Sequence, residues 1–225
     1  MNSLFSYDNK FMQALMTLGD LIILNLLFLL CSLPIVTMGA AQAGLYTAVR
    51  TIVDKDDDTA PVKAFFRGFK SGFFKITLMW IPLLVISVLS LLAFFSLPGG
   101  FTKVMSLIGF CIIAILEMLV MVFHSRFDCS PMQLLRNSVL LLLAHPFRVI
   151  PAAFFSWLTV FVALYDPNSF IQLGPIFLTL MVSVTFLFSY TLLHKPFQGL
   201  VETALERQKA AQSPEEPTEE LPEEQ

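Results

Sequence analysis

The run Cys31-Ser32-Leu33-Pro34-Ile35-Val36-Thr37-Met38-Gly39-Ala40-Ala41-Gln42-Ala43-Gly44-Leu45-Tyr46 decides the fold class. A strongly apolar stretch, about residues 18–34, stops at Pro34, which cannot continue a helix without the loss of a backbone hydrogen bond. The chain then restarts on small residues. Gly39, Ala40, Ala43 and Gly44 make two overlapping small-xxx-small pairs, a pattern that lets helix backbones approach closely inside a lipid bilayer. One membrane helix therefore turns back as a second, protein-enclosed one over about residues 36–53.

Working outward, composition supports the same class. Of 225 residues 56% are hydrophobic, 23 are Phe and 14% are charged, against about 25% charged in soluble domains. The apolar residues gather in blocks near the roughly 20 residues that a helix needs to cross a bilayer. An all-α polytopic membrane protein is predicted. The first apolar run lacks a basic region before it and a small-residue cleavage site after it, so it is expected to be retained rather than removed as a signal peptide. Cys31, Cys111 and Cys129 are odd in number and lack C-x-x-C spacing, and at least two lie in apolar segments. They predict neither a disulfide nor a metal site. His124, His145 and His194 fall at span ends without carboxylate or thiol ligands at tight spacing, so no metal and no cofactor is expected. The net charge of −3 comes from the Glu-rich and Pro-rich tail, without which the body is mildly basic.

Six spans are predicted, at about 18–34, 36–53, 76–97, 104–123, 147–165 and 174–193, in three hairpins. Each hairpin is preceded by an amphipathic interfacial helix, at about 5–17, 61–75 and 131–144. Residues 1–205 form a single membrane domain, with a short amphipathic helix over 199–212, and 206–225 form an acidic cytoplasmic tail too poor in apolar residues to fold. The clearest interfacial signal is the second: Lys63, Arg67 and Lys70 share one face, and Phe65, Phe66, Phe69 and Phe73 share the other, which suits docking on an anionic leaflet. Arg67, Ile81, Pro82 and Ser87 recur 69 residues later as Arg136, Ile150, Pro151 and Ser156, in line with repeated hairpins. With every hairpin starting and ending in the cytoplasm, 13 of the 14 Lys and Arg residues are cytoplasmic and Lys103 alone is outside. A five-span alternative, with 36–53 cytoplasmic or re-entrant, moves only Lys10 across.

Few polar groups lie within the spans. Asp20, Asn25, Gln42, Arg50 and Glu117 are candidates for one intramembrane cluster, since a carboxylate inside a span marks a pathway, a proton site or a salt bridge. Gln42, Tyr46 and Arg50 share one helical face, and an Arg50–Glu117 ion pair is the structural alternative to a functional cluster. Asp20, Asn25, the run Ser32–Gly39, the small-residue helix after it and the Phe-rich basic segment at Phe65, Phe66, Arg67 and Phe69 resemble the YesL-like family of bacterial integral membrane proteins, a domain of unknown function. The resemblance is most specific from about 15 to 75 and continues more loosely to about 205. It implies a bacterial plasma membrane and, since such proteins are often encoded beside carbohydrate-uptake transporters, a link to sugar uptake.

No nucleophile, phosphate-loop, zinc-protease or dinucleotide motif is present, so no catalytic residues are assigned and no enzyme is expected. Nucleic acid is disfavoured, because the basic residues alternate with Phe on a surface suited to lipid. The expected partners are the bilayer and a membrane transporter or other membrane protein, with the oligomeric state left open. Two functional readings follow: an accessory or scaffold protein, and a small solute or proton transporter using the cluster around Glu117 and Arg50.

Overall fold

The computed structural model describes residues 10–54, 60–127, 129–165 and 182–212. The Asp56–Asp58 cluster, the turn at 166–169, residues 174–181 of the sixth predicted span and residues 213–225 of the tail lie outside the described residues, as do residues 5–9. Two compact units are present, residues 1–193 and 194–225. The described part of the second is the helical stretch 194–212.

All regular structure among the described residues is helical. Helix α1 runs Lys10–Cys31, followed by one 3-10 turn at Ile35–Thr37. The Thr37 hydroxyl donates to the carbonyls of Cys31 (2.6 Å) and Pro34 (2.8 Å), occupying acceptors that the end of α1 leaves open. The predicted break between an interfacial helix at 5–17 and a span from 18 is corrected: α1 is unbroken through residue 17. Nothing between Lys10 and Leu21 stops a helix, and Gly19 is tolerated with open space around it.

Helix α2, Met38–Asp54, is the innermost element, with Gly39 to Ala41 and Ala43 to Val49 all buried. Its 17 residues rise about 26 Å, short of the roughly 30 Å hydrocarbon core. The small residues act as read from the sequence. A Cβ on Gly39 would lie 2.6 Å from Trp80 Cγ, and one on Gly44 would lie 2.8 Å from the Phe65 carbonyl oxygen. Neighbours thus press onto the α2 backbone from two sides.

Helix α3, Pro61–Lys70, starts on Pro61 and packs on α2 through Ala64, Phe65 and Gly68. It does not extend to residue 75 as predicted. Gly72 adopts φ +69°, the left-handed region that glycine tolerates, and helix α4, Phe73–Ser96, begins immediately after it. Phe73 and Lys75 therefore belong to the long apolar helix. A Leu97–Gly99 turn leads into α5, Gly100–Arg126. Helix α6, Pro131–Ala144, has the predicted bounds: Ser130 Oγ accepts from Gln133 N and Gln133 Oε1 accepts from Ser130 N, a reciprocal cap with Pro131 at the first position. Helix α7, Pro146–Tyr165, follows at a 114° bend, and α8 spans Val182–Gln212 through Pro196, with no separate helix at 199–212.

Three helices, Phe11–Cys31, Phe73–Ser96 and Gly100–Arg126, are long and apolar enough to cross a membrane, and the bent pair α6 and α7 makes a fourth candidate. Leu78, Leu89, Leu92, Val104 and Ile108 point outward, whereas Asn25, Glu117, Ser138 and Ser189 are buried, the inverted distribution that a lipid solvent selects. The core is lopsided. Helix α5 is largely exposed up to Ile113 and buried at Ala114 and from Glu117 through Ser125. The packed half is therefore the one near the C-termini of α2 and α5.

Candidate functional site

Two polar centres lie along α5, separated by nine residues and so by about 13 Å of helix. The deeper one is Glu117, which is 3% exposed. Its Oε1 accepts the indole N–H of Trp80 at 2.6 Å, and its Oε2 has no hydrogen-bond partner among the described residues. Beside it lies a cavity of about 50 Å³ lined by Gln42, Tyr46, Met118, Ser156 and Trp157 among others. That exceeds the roughly 10–15 Å³ needed to hold a water. From the cavity wall a chain of hydroxyls runs into the protein. Tyr46 and Ser156 are 2.9 Å apart, and Ser156 donates to Ser189 at 2.8 Å, so the Tyr46 hydroxyl is the donor to Ser156. Ser189 then donates to the carbonyls of Ala152 (2.7 Å) and Thr185 (2.9 Å).

The second centre closes the end of the packed half. Arg126 Nη2 meets Asp54 Oδ2 at 2.7 Å, and both side chains are 11% exposed. Arg126 Nε donates to the Tyr190 hydroxyl at 2.7 Å, and that hydroxyl donates to the same Asp54 oxygen at 3.1 Å. The ends of α2 and α5 and the side of α8 are thereby joined around one carboxylate. Arg50 stands next to this clasp. Its Nη1 donates to the Ser125 carbonyl, and its Nε lies 4.0 Å from Asp54 Oδ2.

The predicted cluster is thus divided. Glu117 and Gln42 share the small cavity, but Arg50 pairs elsewhere, so the expected Arg50–Glu117 ion pair does not form. Arg50 is one turn beyond Tyr46 on α2, and its side chain reaches on to the Ser125 carbonyl, two turns beyond Glu117 on α5. Asn25 is fully buried on the α1 side, where its side-chain oxygen accepts from the Ser183 backbone N–H at 3.1 Å. Asp20 is half-buried on α1 and forms no ion pair or hydrogen bond with the described residues. Sequence reasoning did not single out Trp80, Ser189, Arg126 or Tyr190. In the sequence Asp54 stands just ahead of Asp56, Asp57 and Asp58, and only its position at the end of α2 marks it apart from them.

The docking set is divided as well. Lys63, Arg67 and Lys70 are exposed and Phe66 is 39% exposed, whereas Phe65 is fully buried and Phe69 and Phe73 are half-buried. The rings run in sequence, with Phe65 to Phe69 centroids 6.3 Å apart and Phe69 to Phe73 5.6 Å apart, so the ladder leads from the core outward. Among the described residues, no group of three or more His, Cys, Asp or Glu side chains is placed to hold a metal ion.

Residues 21–94 match the model of a family described as "Protein of unknown function, DUF624". This is the YesL-like family of bacterial membrane proteins, so the resemblance read from the residues holds over that stretch. The match runs from α1 through most of α4 and includes Arg50, Asp54 and Trp80, but ends before Glu117 and Arg126. Neither a curated protein nor a solved structure matches the chain.

Proposed function

We propose that this YesL-like protein is a non-catalytic accessory or scaffold protein of the bacterial plasma membrane, acting beside a carbohydrate-uptake system. The observation that carries the reading is how the interior hydroxyls end. A relay must hand a proton or solute onward, yet the chain Tyr46–Ser156–Ser189 terminates on the carbonyls of Ala152 and Thr185, which only accept. Glu117–Trp80, Asn25–Ser183 and Arg50–Ser125 likewise tie helix to helix. These bonds favour polar groups that fix the bundle over groups that line a path. In this reading six spans form three hairpins on cytoplasmic termini, and the exposed basic residues of α3 and the tail offer the cytoplasmic surface to a transporter. The test combines two measurements. Tagged protein recovered in mild detergent from sugar-induced cells brings the membrane subunits of a sugar transporter with it, and the pure protein in proteoliposomes moves no proton or sugar. Flux through the protein alone, abolished by Glu117→Gln, would overturn the reading.

One observation favours a second reading, a small transporter. Glu117 Oε2 is buried without a donor among the described residues, next to a cavity large enough for water. On that reading the carboxylate is the binding or relay group, and Glu117→Gln removes transport while the fold is kept.

A further inference from the structure

Glu117 carries a charge that no side chain among the described residues balances. Its Oε1 accepts the indole N–H of Trp80 at 2.6 Å, the short distance of a hydrogen bond to an ionised acceptor. No basic side chain pairs with it among the described residues, where Arg50 and Arg126 both turn to Asp54. Of the residues outside the described ones only Lys55 is basic. Lys55 follows Asp54, which stands about 18 Å along α2 from Gln42. A buried ion is costly unless it is paired or bound to a metal ion, and more so at the depth of a membrane span.

The groups around the neighbouring cavity offer lone pairs rather than protons. Gln42, Tyr46 and Ser156 share its wall with Glu117. Tyr46 donates its proton to Ser156, and Ser156 donates its own to Ser189. The Tyr46 oxygen therefore keeps both lone pairs and the Ser156 oxygen keeps one. Gln42, half-buried and without a hydrogen bond to the described residues, brings an amide oxygen. The carboxylate itself is fixed in place. Trp80 is 1% exposed and is wedged where a Cβ on Gly39 would lie 2.6 Å from its Cγ, so Oε1 is tied to α4 and Oε2 is the oxygen left for an occupant.

We propose that this cavity binds one alkali metal cation, ligated by Glu117 Oε2 and by the oxygens of Gln42, Tyr46 and Ser156. Hard cations take oxygen ligands, and a single carboxylate balances one positive charge where a divalent ion calls for more. A water in the same place would bond to Oε2 and leave the charge uncompensated. The volume of about 50 Å³ admits an ion and excludes a sugar. The site is the one that the transporter reading uses, but holding an ion requires no onward path. The proposal therefore rests on neither reading, and binding without flux tests it separately from both.

The full-length protein is purified in a neutral detergent with N-methylglucamine as the sole cation. The chain has two tryptophans, Trp80 bonded to Glu117 and Trp157 in the cavity wall, so intrinsic fluorescence reports on the site. Sodium chloride in one arm and potassium chloride in the other replace N-methylglucamine chloride at constant ionic strength. A saturable change in emission is expected, and the ion with the lower midpoint is the one the site holds. Glu117→Gln raises that midpoint by about tenfold or more. Tyr46→Phe keeps the ring, removes one ligand oxygen and raises it by about threefold or more, an independent readout should Glu117→Gln fail to fold. Asp20→Asn, the same acid-to-amide change on α1 outside the cavity wall, leaves it within about twofold. The proposal is overturned by emission that responds to neither ion, or by emission that follows pH and neither ion, which assigns a proton to the carboxylate. It is also overturned by equal weakening in Glu117→Gln and Asp20→Asn.

Discussion

Trp80 and Glu117 illustrate how one buried carboxylate is accommodated. A buried acid needs a donor, and the indole N–H, which cannot act as an acceptor, supplies one at 2.6 Å while its ring fills the space above Gly39. Three substitutions separate the contributions. Glu117→Gln keeps an acceptor for the indole and is expected to be close to neutral for stability. Glu117→Leu leaves the indole N–H unpaired and costs about 1–3 kcal/mol. Trp80→Phe removes the only donor among the described residues to a buried carboxylate and costs more than either, since a charge without its partner is the dearest case. Midpoints of denaturation by SDS in mixed micelles check the order, and a Glu117→Gln variant weaker than Trp80→Phe would contradict it.

At the scale of elements, the contact between α2 and α3 depends on glycine at particular positions. Gly44→Ala drives a methyl group toward the Phe65 carbonyl oxygen, a backbone atom that cannot rotate away, and is expected to cost about 1–3 kcal/mol. Gly19→Ala meets open space in the middle of α1 and is expected to be neutral or stabilising by up to about 1 kcal/mol. Thermal midpoints of the two variants in one detergent test the contrast. This scale also shows what could be read from the chain. Helix α6 was legible because Ser130, Pro131 and Gln133 form a local cap, and α2 because small residues recur at helical spacing. The continuity of α1 was not legible, since a polar-flanked amphipathic start and an apolar finish look like two elements unless a breaker is required between them. The separation of Arg50 from Glu117 was hidden because it depends on the register of α2 against α5, which no local pattern encodes.

For the whole molecule, the uneven core bears on orientation. Helices α4 and α5 are joined by a turn at Pro98 and Gly99, so Phe73 and Arg126 share an end, and Arg50, Arg67, His124 and the Asp54 clasp are near that end too. On the topology proposed above this end faces the cytoplasm, the side that the positive-inside tendency favours. In a background with Cys31 and Cys111 replaced by serine, Cys129 should react with a membrane-impermeant maleimide only after the cells are opened. A cysteine introduced at Gly99 in a variant also lacking Cys129 should react from outside, and the opposite pattern would invert the topology.

The Asp54 clasp has a consequence in time as well as in space. Asp54 and Tyr190 are 136 positions apart, and bacterial-scale synthesis at about 5–20 residues per second separates their emergence by roughly 7–27 s. During that interval the carboxylate at the end of α2 is made while the tyrosine that completes its shell has not been translated. Arg126 arrives about midway, so the nascent chain passes through a stage in which the ion pair is available and its third member is not. The clasp that closes the packed half therefore cannot be completed until Tyr190 of α8 has been made.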